Sequence, residues 1–188
     1  MNSRKYLTTS EIIGLLSATK TGRHRVRNFC MIMMAYRHGY RISELLSLEV
    51  SDIDIASRQI FVKRIKNGFS TIHPLDDYEC DIISNWLAVR ESYPYSKYSN
   101  RVFISERKGS LSRKQAWYVI KQCGRIAGMD IEPHPHMLRH ACGYNLANEG
   151  ADTRLIQDYL GHRNIRHTVH YTKANSARFK IFLNITSL

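Results

Sequence analysis

A short β-type stretch interrupts a chain whose other segments mostly space their apolar residues as helices do. Residues 52–74 contain two runs rich in β-branched and aromatic side chains, 60–62 and 70–73. Between them lies Asn67-Gly68, a dipeptide typical of hairpin turns because both residues tolerate positive φ. Lys66 is therefore predicted at a hairpin tip, from which it can reach a ligand, although most such lysines are only solvated. This pattern predicts a mixed, mainly α fold with a small antiparallel β-sheet.

Helical segments flank the predicted hairpin on both sides. Thr8 and Glu11 have the spacing of a capping box and predict a helix that ends near residue 21. A second helix is predicted from residue 25 to 38, and the glycine that follows, Gly39, is expected to end it. Residues 102–104 are predicted to form a short strand. Further helices are predicted over residues 76–91, from 112 onward, between Pro133 and Gly150, over 152–159, and as one helix from Asn164 to Tyr171.

The charge of the chain favours a polyanionic partner. It carries 28 Lys and Arg against 16 Asp and Glu, a formal net charge of +12, which favours nucleic acid. A membrane surface is the rival partner, but we find no basic amphipathic helix with a clean apolar face. The apolar run at residues 30–36 is too short to span a bilayer. The polar N-terminus has no signal-peptide core, so we expect a cytoplasmic, nucleoid-associated protein. Four scattered cysteines without a CxxC pair favour reduced thiols over zinc or disulfides.

Six polar residues have no evident packing role. Taken singly, each has an ordinary structural explanation, and Arg41 with Glu44, three residues apart, is typical of an exposed ion pair. Taken together they suit phosphoryl transfer to a tyrosine. A phenol with a pKa of about 10 needs a base or a positive field, paired guanidiniums can bind the phosphate oxygens, and a lysine can protonate the leaving oxygen. This chemistry requires no metal or cofactor. The six residues are Arg41, Lys66, His136, Arg139, His162 and Tyr171.

Five segments of the chain resemble the conserved boxes of tyrosine recombinases of the phage-integrase type. YRISELLSL resembles the first arginine box, and VKRIKNGFSTIHPL resembles the β-hairpin of that family. HMLRH resembles the HxLRH box, and LGH followed by HTVHYT resembles the closing boxes. The matches occur in the family's order and extend from about residue 7 to 173. The resemblance implies the helical catalytic domain of these enzymes.

The resemblance also implies a role for each matched residue. Tyr171 would attack the scissile phosphate and form a 3′-phosphotyrosine. Arg41, Arg139 and His162 would hold the phosphate, with Glu44 as the acidic companion of Arg41. Lys66 would protonate the leaving 5′-oxygen, with Lys63 the less favoured alternative. His136 would assist proton transfer at the tyrosine.

The order of the boxes also implies a domain organisation. Residues 1–173 resemble the catalytic domain alone, because only about forty residues precede Arg41, where larger members carry a core-binding domain. The apolar tail, residues 174–188, is expected to pack on a neighbouring protomer. IKNGFSTIHPL resembles the short fimbrial phase-switch invertases of enteric bacteria. The expected function is therefore inversion of a promoter segment between short inverted repeats. The expected partners are double-stranded DNA, three further protomers in a synaptic homotetramer, and DNA-bending accessory proteins.

Two alternatives use the same basic surface differently. A sequence-specific DNA-binding regulator would need no chemistry, and a type IB topoisomerase would relax DNA without regard to sequence. The predicted helix that opens at residue 112 could enter a major groove and read bases, or it could be a solvated basic face. The candidate base readers are Ser112, Arg113, Lys114 and Gln115.

Overall fold

The computed structural model describes residues 4–65, 68–107 and 109–173. Within these ranges most residues of regular structure are helical. The helices are α1 (Thr9–Ala18), α2 (Arg25–Arg37), α3 (Ile42–Ser47), α4 (Asp77–Arg90), α5 (Arg113–Ile126), α6 (Pro135–Asn148), α7 (Thr153–Leu160) and α8 (Val169–Lys173). The strands are β1 (Ile53–Asp54), β2 (Gln59–Val62), β3 (Thr71–Pro74), β4 (Ile104–Ser105) and β5 (Gly109–Ser110). The prediction of a mainly α fold with small antiparallel sheets is confirmed.

Several helices begin at the capping residues and the proline from which their starts were predicted. The Thr8 hydroxyl accepts a hydrogen bond from the Glu11 amide at 3.3 Å, and the Glu11 carboxylate accepts one from the Thr8 amide at 2.7 Å. The same reciprocal cap forms between Asp76 and Glu79 at the start of α4. Pro135 occupies the first turn of α6, where its missing N–H costs nothing. These caps satisfy backbone donors that have no partner inside the helix.

The predicted hairpin forms and packs one face inward. β2 pairs antiparallel with β3, so that Ile60 lies opposite His73 and Val62 opposite Thr71, and β1 adds a third strand on the other side of β2. Ile60 and Val62 are fully buried and alternate with exposed neighbours. The predicted tip, residues 66–67, lies outside the described residues.

The strand predicted after the hairpin is displaced along the chain. β4 begins at Ile104, where it pairs with β5, whereas residues 102–104 were predicted to form the strand. The backbone of Val102 is occupied elsewhere, since its amide donates to the Leu48 carbonyl at 2.9 Å and its carbonyl accepts from the Trp86 indole at 3.0 Å. Tertiary hydrogen bonds therefore replace the ladder at that residue.

Helix α2 lies at the centre of the main core and leads into the functional cleft. Every residue from 30 to 35 is buried, and α2 packs against α1, α4 and α6. Gly39 follows α2 with φ of +56°, and a Cβ there would lie 2.4 Å from the Leu160 side chain. The turn that precedes Arg41 is therefore held against the end of α7. A second, smaller apolar cluster lies beneath α6, α7 and α8 and comprises Cys142, Ala147, Ile156, Leu160 and Tyr171.

The C-terminal tail, residues 174–188, lies outside the described residues, and its packing on a neighbouring protomer stays a prediction. No helix in the described ranges is long and apolar enough to cross a membrane.

Candidate active site

Glu44 forms the buried base of the site. Its carboxylate accepts hydrogen bonds from Arg41 Nη1 at 2.7 Å and from the Arg41 amide at 3.0 Å. It also accepts from Arg64 Nη1 at 3.0 Å, and Arg139 Nη1 lies 3.9 Å away. Burial alone would raise the pKa of Glu44, but the hydrogen bond from Arg41 and the charge of Arg64 hold that pKa below its ordinary value. Glu44 is only 1% exposed, so the interpretation of an exposed Arg41–Glu44 ion pair is wrong.

Arg139 lies on α6 and ties that helix to the two turns on either side of the cleft. Its Nη1 donates to the Gly39 carbonyl, and its Nη2 donates to the Leu160 carbonyl at 2.8 Å. Burial, with the nearby cations of Arg64 and Arg41, lowers the pKa of Arg139 to about 9. The side chain is still protonated at neutral pH. Two guanidiniums, those of Arg41 and Arg139, thus share one carboxylate and line the same cleft.

His162 follows the residue that ends α7. Gly161 adopts φ of +65°, and a Cβ there would lie 2.6 Å from the Phe69 carbonyl, so the return arm of the hairpin packs directly on this turn. His162 Nδ1 lies 2.9 Å from the Thr168 hydroxyl. Burial, together with the Arg139 and Arg41 cations, lowers the pKa of His162 to about 3. The ring is therefore a neutral hydrogen-bonding group beside two cations.

Tyr171 lies on α8 and is almost completely buried. Its ring packs over Gly143, where a Cβ would lie 2.6 Å from the Tyr171 Cζ, and edge-on against Tyr144. Its Oη lies 2.9 Å from His140 Nδ1. Burial raises the pKa of Tyr171, and the Arg139 cation opposes that shift only in part. A nearby base is therefore needed before this phenol can act as a nucleophile.

The structure brings five of the six predicted residues into one cleft of about 370 Å³. The sixth, Lys66, lies outside the described residues. Lys63, the alternative to Lys66, pairs with Asp52 at 2.7 Å. Within the described ranges no group of three or more His, Cys, Asp or Glu could hold a metal ion. The five residues that line the cleft are Arg41, His136, Arg139, His162 and Tyr171.

Sequence reasoning missed two residues that contact the predicted ones. His140 bonds to Tyr171, whereas His136 lies on the exposed side of the cleft. Both belong to HMLRH and stand four residues apart on one helix, a spacing that could have identified His140. Arg64 is buried under the site, and its side chain joins Glu44 to three backbone carbonyls. No local pattern distinguishes Arg64 from the other basic residues of the hairpin.

The candidate base readers lie beside this cleft at the start of α5. Ser112 and Gln115 cap each other, because the Ser112 hydroxyl accepts from the Gln115 amide at 3.2 Å and the Gln115 side chain accepts from the Ser112 amide at 3.0 Å. Arg113 and Lys114 are exposed and share a shallow groove with His136. The two cations are therefore the members of this set that are placed to meet a ligand extending from the cleft.

Comparison with known proteins gives the family of the chain. The model of the "Phage integrase family" matches residues 5–178. The type 1 fimbriae regulatory protein FimB of Escherichia coli K12 is 52% identical over 176 residues, which cover 94% of this chain and 88% of FimB. The type 1 fimbriae regulatory protein FimE of the same strain is 51% identical over 179 residues, which cover 95% of this chain and 90% of FimE.

A solved structure shares the fold. The XerH site-specific recombinase bound to its difH substrate in a pre-cleavage complex superposes with a TM-score of 0.79 at 23% identity. The match covers 97% of this chain and 54% of the XerH chain. The conserved boxes, the cleft that joins them and the family match agree, and this chain belongs to the phage integrase family of tyrosine recombinases.

Proposed function

We propose that this protein cuts and rejoins DNA through a 3′-phosphotyrosine, and that it inverts a promoter segment between short inverted repeats to control fimbrial expression. The observation that carries the proposal is the single cleft in which Tyr171 meets Arg41, Arg139 and His162. The likeness to two type 1 fimbriae regulatory proteins supports the fimbrial context. Acting on chromosomal DNA implies a cytoplasmic location.

In this proposal each part of the reaction falls to a particular group of the cleft. Arg41 and Arg139 bind the non-bridging oxygens of the scissile phosphate and stabilise the charge that grows in the transition state. Glu44 orients the Arg41 guanidinium from below, the Gly39 and Leu160 carbonyls orient that of Arg139, and neutral His162 adds a hydrogen bond. Tyr171 Oη attacks phosphorus while the 5′-oxygen leaves with a proton, for which Lys66 is the proposed donor. The tyrosine proton needs a base, and two of the histidines that line the cleft, His136 and His140, lie on α6.

The bond energy is kept in the phosphotyrosine, so rejoining requires no external energy source. Exchange between two sites would use four protomers, with residues 1–173 of each as the catalytic domain and the tail, residues 174–188, packed in trans. Removal of that tail should spare DNA binding and abolish recombination. DNA-bending accessory proteins would help to bring the two sites together.

Covalent trapping on nicked suicide substrates that carry the inverted repeats tests the proposal. Wild-type protein should give a protein–DNA band on a denaturing gel, and Tyr171→Phe should give none while still shifting DNA in a native gel. Two non-covalent complexes of equal strength would instead indicate a DNA-binding regulator. Relaxation of supercoiled plasmids that lack the repeats would indicate a topoisomerase.

Arg113 provides a test of sequence recognition. If it pairs with a guanine, Arg113→Ala should cost about 1–3 kcal/mol of binding and relax specificity at one base pair. Arg125→Ala, an exposed arginine in the last turn of the same helix, is the matched control. An equal loss on every DNA sequence would identify Arg113 as a phosphate contact. Binding of the wild type should also weaken steeply with salt, because phosphate contacts release counterions.

A further inference from the structure

Arg64 belongs to the hairpin, but most of its contacts are to the turn that leads into Arg41. Its guanidinium donates to the carbonyls of His38 at 2.9 Å and Gly39 at 3.2 Å, and it lies 5.5 Å from the centre of the Tyr40 ring. It therefore contacts each of the three residues that precede Arg41. We propose that Arg64 is a positioning residue for Arg41 in DNA cleavage. This role rests on the proposed phosphotyrosine chemistry.

The hairpin also holds the acid that binds the Arg41 guanidinium. Arg41 Nη1 donates to Glu44 Oε1 at 2.7 Å, and Arg64 Nη1 donates to Glu44 Oε2 at 3.0 Å. The next residue of the hairpin adds a bond, because the Ile65 amide donates to Glu44 Oε1 at 3.2 Å. Since Glu44 is buried, these donors rather than water set the direction of its carboxylate. Both oxygens of the acid that orients Arg41 are thus fixed by the hairpin.

The remaining acceptor of Arg64 lies at the end of α7. Arg64 Nη2 donates to the Tyr159 carbonyl at 2.8 Å, and the stem of the side chain packs on the same turn, where a Cβ on Gly161 would lie 2.7 Å from Arg64 Cγ. Gly161 directly precedes His162. One guanidinium therefore ties the turn before Arg41 to the turn before His162. The separation of these two phosphate-binding groups depends on it.

Arg64 acts through Arg41 and does not contact DNA itself, because its side chain is fully buried. Its charge also keeps the acid ionised, since the Arg64 cation is one of the groups that hold the pKa of Glu44 below its ordinary value. An ionised carboxylate in a fixed position leaves the rest of the Arg41 fork free for the phosphate oxygens. A displacement of about 1 Å at such a group is enough to slow a reaction by about 10².

The test compares the rate of single-turnover trapping on nicked suicide substrates, at saturating protein, with DNA affinity in a native gel. Arg64→Met should lower the trapping rate by about 10², the effect of a displaced phosphate ligand. Its DNA affinity should stay close to that of wild type, because many other phosphate contacts supply it. Arg64→Lys keeps the charge but not the planar fork, so it should restore part of the rate and remain about tenfold slower than wild type.

Ile83→Ala is the control for lost stability. Ile83 is fully buried on α4 and is not among the residues that line the cleft. Its truncation leaves a cavity in the core and should destabilise the fold to an extent similar to that of Arg64→Met. Assayed at a temperature at which circular dichroism shows all variants folded, Ile83→Ala should trap DNA at the wild-type rate.

A double-mutant cycle shows whether Arg64 acts through Arg41. In an Arg41→Lys background, Arg64→Met should slow trapping far less than it does alone, because the group that Arg64 positions is already altered. Losses that multiply independently would overturn the assignment. Wild-type rates in both Arg64 variants, or an equal loss in Ile83→Ala, would also overturn it.

Two variants keep the test decisive. If Arg64→Met does not fold, or Arg41→Lys gives no adduct to measure, the comparison of Arg64→Lys with Ile83→Ala decides. Lack of any adduct with wild type would overturn the proposed function and this role together. The other contrary results would overturn the role of Arg64 alone, because wild type would still form its phosphotyrosine adduct.

Discussion

Replacing Arg64 with Met should destabilise this protein more than its place in a hairpin suggests. The guanidinium is fully buried. Its Nη1 donates to Glu44 at 3.0 Å and to the Gly39 carbonyl at 3.2 Å, and its Nη2 donates to the carbonyls of His38 at 2.9 Å and Tyr159 at 2.8 Å. One side chain therefore joins the hairpin, the turn before Arg41 and the end of α7.

The expected cost follows from which partners lose their donor. Glu44 keeps Arg41 at 2.7 Å, and the Gly39 carbonyl keeps Arg139, so neither is left unpaired. The carbonyls of His38 and Tyr159 lose the Nη2 donor that they share, and each loss lowers the free energy of unfolding by about 1–3 kcal/mol. Among the described residues Arg64 Nε has no hydrogen-bond partner, and methionine removes that buried donor. We expect Arg64→Met to lower the free energy of unfolding by about 3–4 kcal/mol, in the range for broken buried ion pairs.

Urea unfolding followed by the fluorescence of buried Trp86 measures this cost. The melting temperature should fall by about 6–16 °C, since 1 kcal/mol corresponds to about 2–4 °C at this chain length. Arg58→Met is the matched control, because Arg58 pairs with Asp77 at 2.8 Å where both side chains are mostly exposed. The control should lose less than about 1 kcal/mol. Equal, small losses for Arg64→Met and Arg58→Met would refute the reasoning.

Two further predictions concern the nucleophile and the response to acid. Gly143→Ala places a Cβ 2.6 Å from the Tyr171 ring, so covalent trapping should fall at least about tenfold. Gly14→Ala is the control. Its Cβ would lie 3.6 Å from the Ala127 side chain, an ordinary contact, so trapping should be unchanged. Burial, with the charges of His38 and Arg64, lowers the pKa of His73 to about 3, so the unfolded chain binds a proton below pH 6.5 that the folded chain does not. Stability should therefore fall as the pH drops from about 6 to 4, by up to about 1.4 kcal/mol per pH unit for this residue. Urea midpoints across that range should be flatter for His73→Phe, and an unchanged slope would contradict the assignment.

Elements with local causes could be predicted from the sequence. The Thr8–Glu11 cap and Pro135 act within a single turn, so they indicate helix starts without knowledge of the fold. The β-branched and aromatic residues of 60–62 and 70–73 are also a local signal, and they predicted the two strands that pair in the hairpin. The cleft followed from the order of the boxes, because the same order in the family goes with one arrangement of helices.

The last predicted helix illustrates where local reasoning fails. Asn164 begins a short 3-10 turn at Ile165–His167, and α8 starts only at Val169, whereas a single helix was predicted to reach Tyr171. The break falls at Thr168, whose hydroxyl bonds to His162 Nδ1 at 2.9 Å. A contact between the cleft histidine and the segment before the nucleophile thus overrides helical continuity. Nothing in the spacing of residues 164–171 reveals that contact.

The same limit explains why Arg41 and Glu44 were interpreted as a surface pair. Their three-residue spacing is correct, but spacing cannot show that the hairpin also packs against Glu44. Arg64 of the hairpin donates to one oxygen of the Glu44 carboxylate, and the Arg41 side chain donates to the other. Glu44 is buried beside three arginines, and in such a low-dielectric site its hydrogen bonds to guanidiniums are stronger than they would be at the surface. The arrangement also leaves excess positive charge at the cleft, which costs stability in the free protein. A phosphate diester would neutralise that charge, so substrate binding should stabilise the fold, most directly through Arg41 and Arg139, which line the cleft.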